Sequence, residues 1–287
     1  MSEPKYEMIE AHDGTLIHTA RFEPSATPAG VIHFLHGFGE GVEHFEETAE
    51  FFTANGYACT AHDLRGFGKM PDKTRRQRWA ARGVTPGYEY FLEDLKTIRR
   101  KIEQWYPGLP SVLFGFSMGG NIIINYLLKY SQEQYEKVIL VSPWLRIYKP
   151  LPHFVETMGR LIGRASPKLT VNAHLNLHSL SRDLEKMYRL KACNIYHNRI
   201  SFRMYTEVAS AGEYAIQNAD QITVPVLLMC AGKDKIVSPN AIREFSGNAK
   251  ENVTFVEYPD AYHYLHLDSI SDKVLYVILS FCKRQTF

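Results

Sequence analysis

Gly115-Phe116-Ser117-Met118-Gly119 constrains this chain more than any other stretch. Val112, Leu113 and Phe114 precede it, and Asn121, Ile122, Ile123 and Ile124 follow. The apolar triplet reads as the end of a buried strand, and residues 121–128 read as a buried helix. A serine between two glycines at a strand-to-helix turn sits on strained backbone. A side chain on either flanking residue would strike the neighbouring strand and helix. Such a turn lifts the Ser117 hydroxyl above the sheet at a helix N-terminus. The first N–H groups of that helix, beginning with Met118, are then placed to meet a developing negative charge. A glycine-rich turn that merely contains serine would leave the strand before it and the helix after it unexplained.

A nucleophile of this kind needs a base and an acid. Where such a turn serves acyl transfer, the acid and then the histidine follow the serine in the chain, each at the C-terminal end of a strand. Val224-Pro225-Val226-Leu227-Leu228-Met229-Cys230 has strand length, with Pro225 near its start, where a missing N–H is tolerated. It ends at Ala231-Gly232-Lys233-Asp234, which puts Asp234 in the loop leaving it. Val253-Thr254-Phe255-Val256-Glu257-Tyr258 alternates apolar and polar and breaks at Pro259, so His263 lies in the next such loop. Three rivals compete. Asp63 ends an extended run but precedes the serine, and Asp260 shares a loop with His263, too close in sequence to orient it from behind. His266 could pair with His263 as a metal ligand, but no further Cys or His cluster completes a site.

On this reading Ser117 attacks an acyl carbonyl, His263 takes its proton and Asp234 fixes the imidazole tautomer. The second oxyanion donor is expected after the early strand Val31-Ile32-His33-Phe34-Leu35, in His36-Gly37-Phe38-Gly39-Glu40. There Gly37 and Gly39 allow the Phe38 N–H to turn toward Ser117, so Phe38 and Met118 are the expected donors. The same loop brings a competing class into view. Gly37, Gly39 and Gly41 followed by Asp63 imitate a dinucleotide site, but Val42 stands where the third glycine belongs.

Strand and helix signals alternate through most of the chain. Residues 5–35 give an N-terminal strand pair, a helix follows over about residues 44–55, and Phe91, Leu92, Leu95, Ile98, Ile102 and Trp105 recur at helical spacing. This pattern implies an α/β fold with a mostly parallel central sheet covered by helices on both faces. Residues 143–219 break the pattern with helix after helix and no convincing strand. They are expected to form a helical cap inserted into a core made of residues 1–142 and 220–287. Within the cap Leu151, Phe154, Val155, Met158, Leu161 and Ile162 form one apolar stripe, with Lys149, Arg160 and Arg164 beside it. The stripe either packs on the core or forms a lip that collects lipid at an anionic membrane surface.

Composition narrows the classes further. A net charge of +2 over 287 residues gives no broad electrostatic case for nucleic acid. The run Lys73-Thr74-Arg75-Arg76-Gln77-Arg78-Trp79-Ala80-Ala81-Arg82 is read as a solvated face, against contact with phosphate head groups. The polar start Met1-Ser2-Glu3-Pro4 has no apolar signal region, and Cys59, Cys193, Cys230 and Cys282 are dispersed, so a cytoplasmic location with reduced thiols is expected.

Five motifs in order carry a resemblance: His36-Gly37-Phe38-Gly39-Glu40, Ala61-His62-Asp63-Leu64-Arg65-Gly66-Phe67-Gly68, Tyr106-Pro107-Gly108-Leu109-Pro110, Gly115-Phe116-Ser117-Met118-Gly119-Gly120 and Tyr258-Pro259-Asp260-Ala261-Tyr262-His263. Over nearly its whole length the chain resembles the monoacylglycerol lipase/lysophospholipase family of α/β-hydrolases, within the serine aminopeptidase-type superfamily. The resemblance implies the α/β-hydrolase fold, a serine esterase acting on single-chain lipid esters, monoacylglycerol or lysophospholipid first among them, and no metal or organic cofactor. It implies Ser117, Asp234 and His263 as the triad, Phe38 and Met118 as oxyanion donors, and a structural role for Asp63. Thioesterase, short-chain carboxylesterase and aminopeptidase are the alternative activities, and a hydrolase-fold protein that has lost catalysis is the remote one. An aminopeptidase would aim a cap carboxylate such as Glu156, Asp183 or Glu185 at the substrate amine. The chain departs from the family at Phe116, where His is usual, in the long basic loop, and in Lys191-Ala192-Cys193-Asn194-Ile195-Tyr196-His197. The last two are expected where substrate is selected.

Overall fold

Ten strands form among residues 3–69, 81–132, 135–193 and 195–284, which the computed structural model describes. They are β1 (Lys5–Glu10), β2 (Leu16–Phe22), β3 (Val31–Leu35), β4 (Ala58–His62), β5 (Ser111–Phe116), β6 (Lys137–Val141), β7 (Thr170–Asn172), β8 (Arg199–Ser201), β9 (Val226–Ala231) and β10 (Val253–Tyr258). Eight of them build one sheet in the order β1-β2-β4-β3-β5-β6-β9-β10. From β4 to β10 every pairing is parallel, and β1 and β2 add an antiparallel edge. Strands β3, β4, β6 and β9 are buried along their whole length, which is why β9 reads as an unbroken apolar run, while β3, β4 and β6 also bury His33, Thr60, His62 and Lys137.

The crossovers are helical: α1 (Glu46–Ala54), α2 (Glu89–Trp105), α3 (Met118–Lys129), then α4 (His153–Ala165), α5 (Leu184–Ala192) and α6 (Phe202–Gln217), and finally α7 (Pro239–Asn248) and α8 (Ser271–Lys283). The sheet's two faces carry separate cores. Leu113 joins Leu95, Ile123, Ile242 and Phe245 from α2, α3 and α7, whereas Val112 and Phe114 join Phe52 and Ile278 from α1 and α8. Side chains that alternate along β5 thus feed opposite layers. The sheet and its two helical layers are those of the α/β-hydrolase fold. Among the described residues no helix is long and apolar enough to cross a membrane.

Residues 143–219 hold α4, α5 and α6, but they are not free of strands, because β7 and β8 pair antiparallel from Thr170 opposite Ser201 to Asn172 opposite Arg199. Three-residue strands are too short to show a period, which is why the sequence reading passes over them. The apolar stripe of α4 also behaves differently from a simple core face. The helix packs on α6 through Gly159, against Phe202 and Thr206, and through Gly163, against Arg203 backbone. Phe154, Met158 and Leu161 consequently point outward, with Phe154 70% exposed. The basic run starting at Lys73 lies outside the described residues up to Ala80.

Close backbone packing fixes the central crossover. A Cβ on Gly119 would stand 2.2 Å from the Leu35 carbonyl oxygen, and one on Gly115 would stand 2.7 Å from Gly120 Cα. Strand β3, strand β5 and helix α3 therefore touch where no side chain fits. Gly119→Ala is expected to destabilise the fold by about 1–3 kcal/mol or more, because the blocking atom is backbone and cannot swing away. Chemical denaturation of the variant beside the parent chain measures this.

Candidate active site

Ser117 caps the N-terminus of α3 with φ 51° and ψ −113°, a conformation that L residues adopt only under constraint. Two hydrogen bonds supply that constraint: its N–H donates to Val141 O at 3.0 Å, and its carbonyl accepts from Trp144 N–H at 2.9 Å. The hydroxyl lies 3.0 Å from His263 Nε2, and His263 Nδ1 lies 2.6 Å from Asp234 Oδ2. The Asp234 carboxylate only accepts, so Nδ1 carries the proton and Nε2 accepts from the Ser117 hydroxyl. Asp234 Oδ1 accepts the Ile236 and Val237 N–H groups at 2.7 and 3.0 Å, which fixes the acid's rotamer. All three side chains are buried. A serine hydroxyl bonded to an imidazole that a buried carboxylate orients is the arrangement acyl transfer uses on several unrelated folds.

The loops that bring Asp234 and His263 together are tied to each other. Gly232 N–H donates to Tyr258 O, Lys233 N–H donates to Ala261 O, and a Cβ on Gly232 would meet Pro259 O at 2.5 Å. Residues 180–182 hold the histidine loop from the other side. Tyr264 N–H donates to Leu180 O at 2.8 Å, and the buried Asp268 accepts from Arg182 N–H at 2.9 Å and from Arg182 Nε at 2.8 Å.

The loop after β3 closes over Ser117. A Cβ on Gly37 would lie 3.2 Å from Ser117 Cβ, so the two backbones are neighbours. His36 sets the turn: Leu64 N–H donates to its Nε2 at 2.9 Å, and Nδ1–H therefore donates to Gly37 O at 2.7 Å. Neither the Phe38 nor the Met118 backbone N–H has an acceptor among the described residues. The Phe38 ring packs edge-on against Phe67 and Trp144. Glu40 is a site residue that the sequence reading missed. It is buried, accepts Gly37 N–H at 2.8 Å and accepts the Tyr264 hydroxyl, so one carboxyl joins this loop to the residue after His263. Burial raises its pKa to about 8, against the lowering effect of the Gly37 bond.

The rival residues are placed elsewhere. Asp63 accepts the N–H groups of Val42 and Lys69 at 2.8 and 2.7 Å and pairs with His18 Nδ1 at 3.0 Å. Committed in this way, it has no oxygen free for a ribose, and Gly41 and Gly68 pack directly on it. His18, Glu43 and Asp63 also form a group of potential metal ligands within 4.8 Å of one another, but the Asp63 oxygens already hold this turn together. Asp260 is exposed and paired with Lys233 at 2.6 Å. His266 is buried with its pKa lowered to about 3 by desolvation. The Phe116 ring touches both His263 and His266, with centroids 4.9 and 4.8 Å away, and so supports the histidine loop from below. Among the described residues, none of the divergent segment before β8 lines the cavity at Ser117. Instead His197 N–H donates to Gly39 O at 3.1 Å and its Nε2 bonds Gly66 O at 2.8 Å, which brace the outside of the Gly39 turn.

Residues 26–270 match the family described as serine aminopeptidase, S33. The chain belongs to this family. A monoacylglycerol lipase of Mycolicibacterium smegmatis is 26% identical over 84% of this chain and 83% of its own length. The crystal structure of the Paleococcus ferrophilus monoacylglycerol lipase superposes with a TM-score of 0.81 at 27% identity, covering 92% of this chain and 97% of that one. An uncharacterised abhydrolase domain-containing protein of Dictyostelium discoideum is 26% identical over 91% of this chain, which spans only 27% of that protein.

In this S33-family chain a cavity of about 450 Å³ opens above Ser117 and His263. Leu151, Val155, Val171, Leu175 and Ile200 give it apolar walls, and Glu156, Lys149 and Lys235 are the charged side chains at its lining besides Glu40. Asp183 instead caps α5 by accepting Lys186 N–H at 3.0 Å.

The raised pKa of Glu40 has a definite sign in stability. The folded chain holds the proton between the ordinary carboxylate range and about pH 8, while the unfolded chain releases it. Stability attributable to this group is therefore undiminished below the unfolded value and falls as pH rises toward 8, by about 1.4 kcal/mol per pH unit. Glu40→Gln is expected to remove that slope, so urea midpoints at pH 5 and pH 8 should differ less in the variant than in the parent.

Proposed function

We propose that the chain is a serine esterase that cleaves carboxylic esters of single-chain lipids, with monoacylglycerol as the reference substrate. The observation that carries the reading is the 3.0 Å contact between Ser117 Oγ and His263 Nε2 at the floor of a largely apolar cavity. The monoacylglycerol lipases among its relatives support the choice of substrate.

In the first half-reaction Ser117 Oγ attacks the acyl carbonyl as its proton passes to His263 Nε2. Asp234 stabilises the imidazolium, and the N–H groups of Phe38 and Met118 receive the oxyanion. His263 then gives its proton to the departing alcohol oxygen, leaving the acyl group on Ser117. Water reverses the sequence, with His263 as base, and releases the fatty acid. Residues 143–219 act as a cap whose α4 forms one wall of the acyl site. An aminopeptidase reading gains Glu156 from the geometry, but Lys149 and Lys235 line the same cavity and disfavour a substrate ammonium.

The outward residues of α4 suit a membrane surface. Phe154, Met158 and Leu161 are exposed, and Arg160 and Arg164 flank them, so the helix can rest on anionic lipid with its inner residues facing the cavity. We propose peripheral contact of this kind for a chain that otherwise resides in the cytoplasm.

Three measurements check these proposals. Asp234→Asn should lower kcat on 4-nitrophenyl esters by about 10⁴-fold, the loss that a wrong imidazole tautomer causes in the serine-protease triad. In the parent, kcat/KM should rise from acetyl to decanoyl esters and extend to monooleoylglycerol; activity confined to acetyl and butyryl esters would contradict the lipid assignment. The triple change Phe154→Ser, Met158→Ser, Leu161→Ser should weaken binding to vesicles of anionic phospholipid by about tenfold or more, since even one such side chain withdrawn from water contributes about 1.5–3 kcal/mol. Vesicle sedimentation reads that loss.

A further inference from the structure

One buried amide ties the Ser117 turn to the wall of the cavity. Asn121 lies one helical turn after Ser117 in α3 and is fully buried, and its N–H donates to Ser117 O at 3.2 Å. Its Nδ2 donates to Trp144 O at 2.7 Å and to Val208 O of α6 at 3.2 Å, and its Oδ1 accepts the Tyr88 hydroxyl at 2.6 Å. Carbonyl oxygens only accept, so the two of them fix which way the amide points. A buried amide without partners would be costly, but this one bonds three separate parts of the chain. An apolar side chain could fill the same space, yet it would fix none of those distances.

Trp144 depends on this amide most. Its N–H donates to Ser117 O at 2.9 Å and its carbonyl accepts from Asn121, so both of its backbone polar groups are bonded to the start of α3. Its side chain lines the cavity, with the Phe38 and Tyr205 ring centroids 6.4 and 6.2 Å from its own. Among the described residues Trp144 Nε1 has no hydrogen-bond partner, so backbone and packing alone place the ring. Helix α6 presses on the same stretch, since a Cβ on Gly212 would stand 2.0 Å from Leu145 O. Phe202, Tyr205 and Thr206 of α6 also line the cavity. Asn121 thus sets two parts of the acyl wall relative to the nucleophile, one through Trp144 O and one through Val208 O. Asn125, one turn further along α3, offers a contrast. Its Nδ2 donates to Asn121 O and to Ala211 O of α6 at 2.9 and 3.1 Å, with no bond to Trp144.

We propose that Asn121 is a positioning residue for acyl-chain selection: it holds Trp144 between the Ser117 turn and α6, and so keeps the wall against which a long acyl chain packs at a set distance from Ser117. It touches neither the substrate nor the reacting atoms and acts through Trp144. This role rests on the ester-hydrolase reading above and adds to it the residue that holds the acyl wall in place.

The test measures kcat/KM of the full chain and its variants on 4-nitrophenyl acetate and 4-nitrophenyl decanoate. Two variants remove the link: Asn121→Ala, and Asn121→Asp, which keeps the shape but cannot donate to both carbonyls. Each should lower the decanoyl-to-acetyl ratio by about tenfold, the effect of leaving about two methylenes unburied. The loss should fall on the decanoyl ester, chiefly in KM, while the acetyl ester keeps the parental rate because Ser117, His263 and Asp234 are untouched. Asn125→Ala, which loosens the same pair of helices without touching Trp144, should lower the urea midpoint and keep the ratio. Tyr88→Phe removes only the hydroxyl that the amide accepts and should shift the ratio the same way by a smaller factor. It carries the test if the Asn121 variants fail to fold. A parental ratio in a folded Asn121 variant, or in Tyr88→Phe where those variants do not fold, overturns the positioning role. An equal shift in Asn125→Ala, or an equal loss on both esters, also overturns it, because either is the mark of general loosening. The parent separates the two levels: if it prefers the decanoyl ester and Asn121→Ala keeps that preference, only the positioning role is wrong, and if it cleaves neither ester, the esterase reading falls as well.

Discussion

Helix α3 meets strand β3 so closely that a Cβ on Gly119 would stand 2.2 Å from Leu35 O. That contact sets the height of the helix N-terminus above the sheet. With β5 pinned beside β3 in parallel register from Val31 opposite Ser111 to Leu35 opposite Gly115, the turn between β5 and α3 has no slack. Ser117 then takes its φ of 51°, held by the Val141 carbonyl and the Trp144 N–H. Because β3 is the neighbouring strand, the loop that leaves it arrives over Ser117, where a Gly37 side chain would also collide. The strained serine and the glycine loop that covers it are two results of one backbone contact.

The acid and the histidine depend on a second set of contacts at the other end of the sheet. Strands β9 and β10 pair from Val226 opposite Val253 to Ala231 opposite Tyr258, so their exit loops are adjacent before any side chain is considered. Gly232 lets those loops touch, and the N–H groups of Ile236 and Val237 fix Asp234. Residues 180–182, between β7 and α5, reach Tyr264 and Asp268, while Glu40 reaches from the loop after β3 to the same Tyr264. The histidine loop is consequently held from three sides. An imidazole that acts as proposed, accepting and returning a proton, needs such support, since a small misplacement of a general base is costly in rate.

Much of this was legible in the sequence because it follows from local signals. The strand-to-helix turn around Ser117, the strand-end positions of Asp234 and His263, and the glycines after β3 announce themselves through spacing and apolar runs. The central sheet followed from strands separated by helical periods. What stayed hidden depends on contacts distant in the chain. The link from Glu40 to Tyr264 joins residues 224 positions apart, and nothing local distinguishes Glu40 from a solvated glutamate. The strand pair β7–β8 is too short for periodicity, and the outward turn of Phe154 follows from glycines packing α4 on α6. The segment 195–197 diverges from the expected pattern, but it braces the Gly39 turn rather than the substrate, because His197 makes its bonds with backbone on that side.

The central claim is that Ser117 is the nucleophile and that His263 activates it. Reaction of the folded chain with a fluorophosphonate, followed by peptide mass mapping, tests it most directly. One adduct is expected, on the peptide containing Ser117, lost in Ser117→Ala and formed far more slowly in His263→Ala. A folded chain that gives no adduct, an adduct that survives Ser117→Ala, or labelling at the parental rate in His263→Ala would contradict it.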